Sequence, residues 1–241
     1  ENILLGDFIA GLTRSLVSGK SAIPPKVRAD RHVRRPHKPF RVKPNKACTI
    51  RRFFERMDEY LDVDSIVISD IGDSLFGAAD LTIYKRTEFL SPAYYTSMGF
   101  AIPAALGAQI GSRNLRPVVF VGDGAFQMTG MELSTIARHG LNPIVFVLNN
   151  KGYTTERFIN DGPYNDIHEW AYHLTPQILR KGWGCETRTE GELEEALLAA
   201  RTHTQSFSII NVHLDKLDRS KALERLGKRL RQQAGNTKRT T

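Results

Sequence analysis

Two short loops in this chain carry residues of the kind that bind phosphate and a divalent cation. The first loop is Gly122-Asp123-Gly124, which follows an apolar run at residues 117–121. Glycines on both sides of the aspartate permit a tight turn and let backbone N–H groups approach a phosphate, while the carboxylate suits a hard cation such as Mg²⁺. Taken alone the motif is weak, because such a sequence at a strand end is often only a turn.

The second loop begins at Asn149-Asn150, directly after another apolar run at residues 143–148. Asn150 lies 27 positions after Asp123, which is enough chain for a helix, a loop and a strand to return beside the first loop. The Asp123 carboxylate, the Asn150 amide oxygen and the Gly152 carbonyl could then share one Mg²⁺, with diphosphate oxygens and water as further ligands. For either loop by itself, the alternative is a plain strand-to-helix turn.

Both loops need strands and helices to position them. Short apolar runs rich in β-branched residues predict strands at residues 65–69, 117–121, 143–148 and 208–212. Helical spacing of apolar residues predicts helices at residues 48–61, 101–110, 131–139 and 190–201. This alternation predicts an α/β fold, a three-layer, doubly wound, mostly parallel sheet with helices on both faces. Such sheets bind ligands beyond the carboxyl ends of their strands, where both loops lie.

The charge pattern argues against a nucleic-acid-binding protein. The formal net charge is +8, and the positive charge is concentrated at residues 26–46 and after residue 214. Neither stretch interleaves aromatic side chains with the basic ones, as a base-stacking surface would. We predict a solvated linker and a solvated tail.

The two cysteines form no CxxC pair and no apolar run reaches the roughly 20 residues of a membrane span, so we predict a cytoplasmic protein with no membrane segment.

The motif spacing resembles the thiamine diphosphate signature of the large thiamine-enzyme superfamily, in which GDG is followed by NN. Residues 70–76, 94–100 and 149–165 resemble further motifs of the 2-oxo acid decarboxylases that act on pyruvate, indolepyruvate or phenylpyruvate, in the family order. The resemblance covers about residues 48–214. It implies the diphosphate-binding domain of an enzyme that cleaves a 2-oxo acid to an aldehyde and carbon dioxide, with thiamine diphosphate and Mg²⁺ as cofactors.

The resemblance assigns roles to the positions that match the family motifs. Asp123, Asn150 and the Gly152 carbonyl are expected to bind Mg²⁺. The main chain of Thr96 and Met98 is expected at the aminopyrimidine ring, with the Met98 side chain beneath the bent cofactor. The other members of the cofactor-binding set are expected around the diphosphate. The whole set comprises Asp73, Ser74, Thr96, Met98, Asp123, Gly124, Ala125, Asn150, Gly152 and Tyr153.

Glu156 is the predicted catalytic residue. It lies six positions after Asn150, where the decarboxylases place a carboxylate that faces the substrate in a largely desolvated pocket. Its expected role is to manage the substrate carboxylate and later proton transfers. Without the resemblance, a glutamate at a helix start is equally well explained by a favourable interaction with the helix dipole.

Four segments are predicted along the chain. Residues 1–20 resemble the last helix of the family's middle domain, and residues 21–47 form a basic, proline-rich linker in which prolines exclude a helix or a central strand. Residues 48–214 form the diphosphate- and magnesium-binding domain, and residues 215–241 a basic helix and tail. Because the chain starts with Glu1 in what reads as the middle of a helix, we expect it to be part of something longer.

The resemblance also implies parts that have no counterpart in these residues. In the superfamily, the glutamate that protonates the pyrimidine comes from a separate pyrimidine-binding domain, usually on a neighbouring subunit. We therefore expect a chain that is inactive alone and is completed by such a domain, from another chain or from a missing N-terminal part, within a homo-oligomer (a dimer or a tetramer). The substrate is expected to be a small 2-oxo acid, and the sequence leaves open which one.

Two other classes of function stay open from the sequence. A carboligase of the acetolactate synthase type is expected to lack Glu156 and to carry a flavin site in its middle domain. A noncatalytic binding subunit is expected to show strong salt-dependent nucleic-acid binding without binding the cofactor.

Overall fold

The computed structural model describes residues 5–17, 39–83 and 88–226 of the chain. It separates into two compact units, Glu1–Pro39 and Phe40–Thr241. In the first unit, the helix Leu5–Val17 (α1) lies within residues 1–20, the segment that resembles the last helix of the family's middle domain. Most of the predicted linker, residues 21–38, and the part of the basic C-terminal helix predicted beyond residue 226 lie outside the described residues. None of the helices in the described ranges is long and apolar enough to cross a membrane.

The second unit is built on one parallel sheet. Within the described ranges its strands are Ser65–Ser69 (β1), Phe89–Leu90 (β2), Arg116–Gly122 (β3), Ile144–Asn149 (β4), Trp183–Thr187 (β5) and Ser208–His213 (β6). Their spatial order is β2-β1-β3-β4-β6-β5, and every neighbouring pair is parallel. Parallel neighbours need crossover connections, which the helices of this unit supply.

The helices of the second unit cover both faces of the sheet. Within the described ranges they include Ile50–Tyr60 (α2), Asp73–Ala78 (α3), Ala101–Gly111 (α4), Asp123–Thr129 (α5), Leu133–Arg138 (α6), Thr154–Ile159 (α7), Thr175–Leu179 (α8) and Glu190–Thr202 (α9). Successive residues of a strand point to opposite faces. In β3, Phe120 packs in the cluster that contains α2 and α9, whereas Val121 packs in the cluster that contains α4 and α6. The predicted three-layer α/β fold is therefore confirmed.

The sequence of helix α2 explains both where the helix begins and which of its sides packs against the sheet. Thr49 caps its N-terminus by accepting a hydrogen bond from the N–H of Arg52 at 3.3 Å, which satisfies one of the free N–H groups of the first turn. Its apolar side faces the sheet, where Phe53 and Phe54 pack edge-to-face against Phe120 with ring centroids 5.7 and 5.2 Å away. Burying each ring contributes roughly 1.5–3 kcal/mol to folding.

The predicted linker is partly described, because the second unit begins at Phe40. The N–H of Phe40 donates to Glu59, and the N–H of Lys43 donates to the buried Glu190 at 2.8 Å. Arg52 pairs with the same Glu190 carboxylate at 2.8 Å. Residues 40–47 are thus bonded to the α/β unit, and the boundaries of the four predicted segments stay predictions.

The structure differs from the predicted elements at several places. Strands β2 and β5 and helices α3, α5 and α8 were not predicted, and the helix predicted at residues 131–139 starts as a 3-10 turn, Gly130–Glu132, before α6. β2 has only two residues. β5 is an edge strand with the sequence WGCET, in which half-buried positions and a glycine give no alternation of apolar and polar residues. Glycine punctuates α3 and α5, which obscures their helical pattern.

A crevice forms where the chain leaves β1 and β3. Helix α3, which follows β1, places Ala78 in the cluster with α2. Helix α5, which follows β3, places Phe126 in the cluster on the opposite face. Connections that diverge to opposite faces leave a crevice at the carboxyl ends of the strands, and ligands bind there in doubly wound folds.

Replacing Gly107 with alanine is expected to stabilise the protein by about 0.5–1 kcal/mol, because glycine in a helix costs roughly this much conformational entropy. Gly107 is exposed on α4, and a Cβ there would meet nothing within 4 Å. Urea unfolding measures the change. As a matched comparison, Gly77→Ala should destabilise the protein, since its Cβ would lie 2.0 Å from the Phe54 ring. A lower stability for Gly107→Ala would show that a side chain there meets protein.

Candidate functional site

One cavity of about 390 Å³ opens at the carboxyl ends of the strands, between the loops that follow β1, β2, β3, β4 and β6. Every site residue selected from the sequence lines this cavity. These are Asp73, Ser74, Thr96, Met98, Asp123, Gly124, Ala125, Asn150, Gly152, Tyr153 and Glu156. The fold therefore brings together residues that span more than 80 positions of sequence, while the role of each stays a prediction.

Asp123 ties the two central loops to one another. It is the first residue of α5, and its side chain is almost fully buried. Its Oδ1 accepts the N–H of Gly124 at 2.8 Å, and its Oδ2 accepts the N–H of Gly152 from the other loop at 3.1 Å. Burial raises the pKa of Asp123 to about 6, although these backbone hydrogen bonds act in the opposite direction.

Asn150 sits in a turn with an unusual backbone. Lys151 has φ +61° and Gly152 has φ +142°, a region that side-chain-bearing residues rarely occupy. A Cβ at Gly152 would lie 2.0 Å from the Asn165 carbonyl oxygen, so only glycine fits there. The turn leaves the Asn150 Oδ1 buried, with no hydrogen-bond partner among the residues that the structure describes.

These groups fit a small hard cation. A buried amide oxygen without a donor is costly unless something else binds it. Together with the buried Asp123 carboxylate, the Asn150 oxygen supplies the oxygen ligands that Mg²⁺ prefers. The part of the chain that the structure describes contains no group of three or more histidine, cysteine, aspartate or glutamate residues suited to a metal. A cation at this site would therefore depend on amide and main-chain oxygens in addition to Asp123.

The second glycine of the GDG motif is explained by close packing. A Cβ at Gly124 would lie 2.3 Å from the ring of Tyr153, which comes from the loop after β4. The main chain of Tyr153 is fixed in turn, because its N–H donates to the Asn165 oxygen at 2.9 Å. Ala125 follows Gly124 on the buried side of α5. The two loops therefore contact one another through a ring as well as through Asp123.

Asp73 and Ser74 form the first turn of α3 at the other side of the crevice, and both are buried. The Oδ2 of Asp73 accepts the N–H of Ser220 at 2.7 Å, while its Oδ1 has no partner within the described ranges. Burial raises the pKa of Asp73 to about 6. The cavity thus holds a second carboxylate that is costly to ionise.

Thr96 and Met98 lie on a loop that is exposed around them. Thr96 has φ +55°, Met98 is 39% exposed, and the neighbouring Tyr95 is 82% exposed. The loop is anchored by Asp70, a fully buried residue that the sequence did not single out. Asp70 accepts the N–H of Gly99 at 3.2 Å and the N–H of Ala101 at 2.9 Å. Asp70 directly follows a buried strand and begins the motif at residues 70–76, but neither signal assigned it a role.

Glu156 lines the cavity, but its surroundings differ from the expectation. It lies in the first turn of α7 and is exposed to solvent. The largely desolvated pocket predicted around this carboxylate is therefore absent from the described part of the chain. The reason is geometric: Thr154 and Arg157 occupy the buried side of the short helix, which turns Glu156 outward.

The segment after β6 supplies cavity residues that the sequence did not suggest. Leu214 and Asp218 line the cavity, and Asp218 Oδ2 accepts the N–H of Ile50 at 2.5 Å. Thr154 donates from its hydroxyl to the Lys216 oxygen at 3.2 Å. Spacing could not have found these residues, because their place in the site depends on contacts between parts of the chain that are distant in sequence.

A comparison with protein-family models matches the part of the chain that contains this site. The family model described as the C-terminal TPP binding domain of thiamine pyrophosphate enzymes matches residues 70–212. Thiamine pyrophosphate (TPP) and thiamine diphosphate are the same compound. The matched residues include both central loops and the turn with φ +142°.

Two curated relatives illustrate the similarity. The chain is 37% identical over 174 residues to the alpha-keto-acid decarboxylase of Mycolicibacterium paratuberculosis, covering 70% of this chain and 31% of the relative. It is 35% identical over 198 residues to pyruvate decarboxylase 4 of Arabidopsis thaliana, covering 80% of this chain and 33% of the relative. The chain thus spans about a third of the length of these relatives.

A solved structure shows the same fold. It is the thiamine diphosphate-dependent 4-hydroxybenzoylformate decarboxylase of Rhodococcus jostii RHA1, with a TM-score of 0.65 and 18% identity over 75% of this chain and 35% of that one. The family match shows that the chain belongs to the thiamine pyrophosphate enzymes and contains their C-terminal thiamine pyrophosphate-binding domain, and the two curated relatives that it resembles are named as decarboxylases.

Proposed function

We propose that this chain is the thiamine diphosphate- and Mg²⁺-binding portion of an enzyme for the non-oxidative decarboxylation of a 2-oxo acid, pyruvate or an aryl pyruvate, to an aldehyde and carbon dioxide. The observation that carries the proposal is the pairing of Asp123 with the Asn150 turn. A buried carboxylate and a buried amide oxygen without a donor face one cavity, where a divalent cation would satisfy both.

Different residues along the cavity would contact the cation, the cofactor and the substrate. Asp123, Asn150 and the Gly152 carbonyl would hold Mg²⁺ and, through it, the diphosphate. Thr96 and Met98 would orient the aminopyrimidine ring from their loop. When bound, the cofactor supplies the electron sink for loss of carbon dioxide. Glu156 would face the substrate carboxylate and take part in the later proton transfers through its own carboxyl group.

Completion of the site by further protein is part of the proposal. Glu156 and Met98 are exposed in the chain, although proton transfer and cofactor orientation need a pocket that excludes water. The chain also spans about a third of the length of its curated relatives. We propose that a pyrimidine-binding domain, from another chain or another part of the protein, covers these residues within a homo-oligomer, and that the chain alone turns over no 2-oxo acid.

Titration calorimetry of thiamine diphosphate, with and without Mg²⁺, tests the binding proposal. We expect magnesium-dependent binding to the chain and a loss of at least about 100-fold in affinity for Asp123→Ala, because removal of a charged ligand leaves the cation with neutral donors. Asp64→Ala is the matched control, since Asp64 is an exposed carboxylate before β1, at the opposite edge of the sheet. Its affinity should equal that of the unmodified chain.

Two results would contradict the proposal. One is the absence of magnesium-dependent binding at millimolar cofactor, and the other is equal affinity for the Asp123→Ala variant and the unmodified chain.

A further inference from the structure

The turn that carries Asn150 is strained and needs support from outside the motif. Lys151 adopts φ +61° although it has a side chain, a conformation that costs about 1–2 kcal/mol unless its surroundings favour it. The N–H of Lys151 donates to the Asn149 Oδ1 at 3.3 Å, which closes a local turn around Asn150. The Asn149 side chain therefore helps to hold the shape of the turn, together with the hydrogen bond from the Gly152 N–H to Asp123.

Glu169 contacts both residues that flank Asn150. Its Oε1 accepts a hydrogen bond from the Asn149 Nδ2 at 3.0 Å, and its Oε2 lies 3.2 Å from the Lys151 Nζ. Asn149 is buried, so its amide depends on this acceptor. One carboxylate thus holds the side chains on either side of the predicted metal-binding residue.

Glu169 is itself anchored away from the cavity. The Nδ1 of His213, at the end of β6, lies 3.7 Å from its Oε1, and the Nε2 of His213 lies 2.8 Å from Glu186 on β5. The adjacent main chain is fastened to α5, because the Gln127 side chain donates to the His168 oxygen at 2.6 Å. The position of the Glu169 carboxylate is therefore fixed by strands β5 and β6 and by helix α5.

We propose that Glu169 is a positioning residue that fixes the Asn150 turn in the shape required for cation binding. That Glu169 fixes the turn follows from the contacts described above. That this shape is required for cation binding rests on the proposed function. Removal of the carboxylate leaves the buried Asn149 Nδ2 without its acceptor, so Asn149 must reorient and its Oδ1 leaves the Lys151 N–H. The Asn150 turn then samples other conformations.

Amide hydrogen exchange of the metal-free chain tests the turn directly. In Glu169→Ala we expect the N–H groups of Lys151 and Gly152 to exchange about tenfold faster, because the turn opens more often. The Gly124 N–H, which donates to Asp123 at 2.8 Å from the other loop, is the internal reference. It should exchange at an unchanged rate, as should the amides of β3 and β4.

Two further variants separate positioning from a general loss of structure. Glu169→Gln keeps an acceptor for Asn149 and loses only the charge opposite Lys151, so its exchange rates should lie between those of the alanine variant and the unmodified chain. Glu186→Ala removes the other carboxylate beside His213, and Glu186 has no hydrogen bond to Asn149 or Lys151 in the described structure. Its turn should exchange at the unmodified rate.

Magnesium-dependent binding of thiamine diphosphate provides the second measurement. Loss of an outer residue that orients a metal ligand typically costs 10–100-fold in metal affinity, and we expect about tenfold weaker binding for Glu169→Ala. Unchanged exchange at Lys151 and Gly152 in Glu169→Ala would overturn the positioning of the turn. Faster exchange with unchanged cation affinity would overturn its link to the cation. Absence of binding by the unmodified chain would instead contradict the proposed function, and the exchange rates would still decide whether Glu169 positions the turn.

Discussion

Replacing Gly152 with alanine is expected to lower the free energy of unfolding by at least about 3 kcal/mol, a large share of the stability of an ordinary domain. Two causes combine. The residue adopts φ +142°, which disfavours any side chain, and the new Cβ would lie 2.0 Å from the Asn165 carbonyl oxygen. The Arg157 guanidinium would lie 2.7 Å from the same Cβ, so the new side chain could not avoid the Asn165 oxygen by shifting toward Arg157. Urea unfolding followed by circular dichroism measures the loss.

Gly122→Ala is the matched control at the start of the other loop. Gly122 has φ −68°, which alanine adopts freely, and a Cβ there would meet nothing within 4 Å. Its stability should stay within about 1 kcal/mol of the unmodified chain. Equal stability of the two variants would mean that the turn after Asn150 relaxes without cost, against the packing described here.

Asp123→Asn is expected to stabilise the metal-free protein at pH 7 by about 1–2 kcal/mol. Burial raises the pKa of Asp123 to about 6, from an ordinary value of 3.8. A shift of this size corresponds to roughly 3 kcal/mol against the ionised form in the folded state. Asparagine is neutral and removes that penalty, although its NH₂ group cannot accept the Gly152 N–H, which offsets about 1 kcal/mol.

The pH dependence gives the sign of this effect. Between about pH 4 and pH 6 the folded state binds more protons at Asp123 than the unfolded state, so the contribution of Asp123 to stability falls as pH rises through this window. The advantage of Asp123→Asn should therefore shrink as pH is lowered from 7 to 4. Thermal unfolding with a chelator present measures both curves, and Asp64→Asn at the opposite edge should parallel the unmodified chain. A difference between Asp123→Asn and the unmodified chain that does not change with pH would contradict this account.

The sequence predicted strands β1, β3, β4 and β6 and the loops of Asp123 and Asn150 from local signals, and the resemblance to the thiamine enzymes supplied the other predicted site residues. The strands at the centre of the sheet are continuous apolar runs, and the loops that follow them carry glycines, Asp123 and Asn150 at a spacing that one crossover connection explains. Once the fold class is known, the rule that ligands bind at the carboxyl ends of parallel strands places the site.

The supporting residues could not be predicted in the same way. Asp70 and Glu169 act through hydrogen bonds to loops that are 20 or more positions away, and no local pattern in the sequence reveals these contacts. The exposure of Glu156 also depends on which side of α7 is buried, which is decided by the packing of Arg157 against the segment at residues 161–166. Contacts between residues that are distant in sequence do not produce a periodic pattern, so the sequence alone does not predict them.

The double hydrogen bond of Asp123 has a consequence for how quickly a cation could be captured. Its two oxygens already accept N–H groups from both loops in the ligand-free chain, so the conformational entropy of joining these loops is lost during folding and not during binding. Such a site is preorganised, and its affinity is not reduced by a need to order the loops. The slow step in loading it would then be the removal of water from Mg²⁺, an ion that dehydrates reluctantly, and not a movement of the protein.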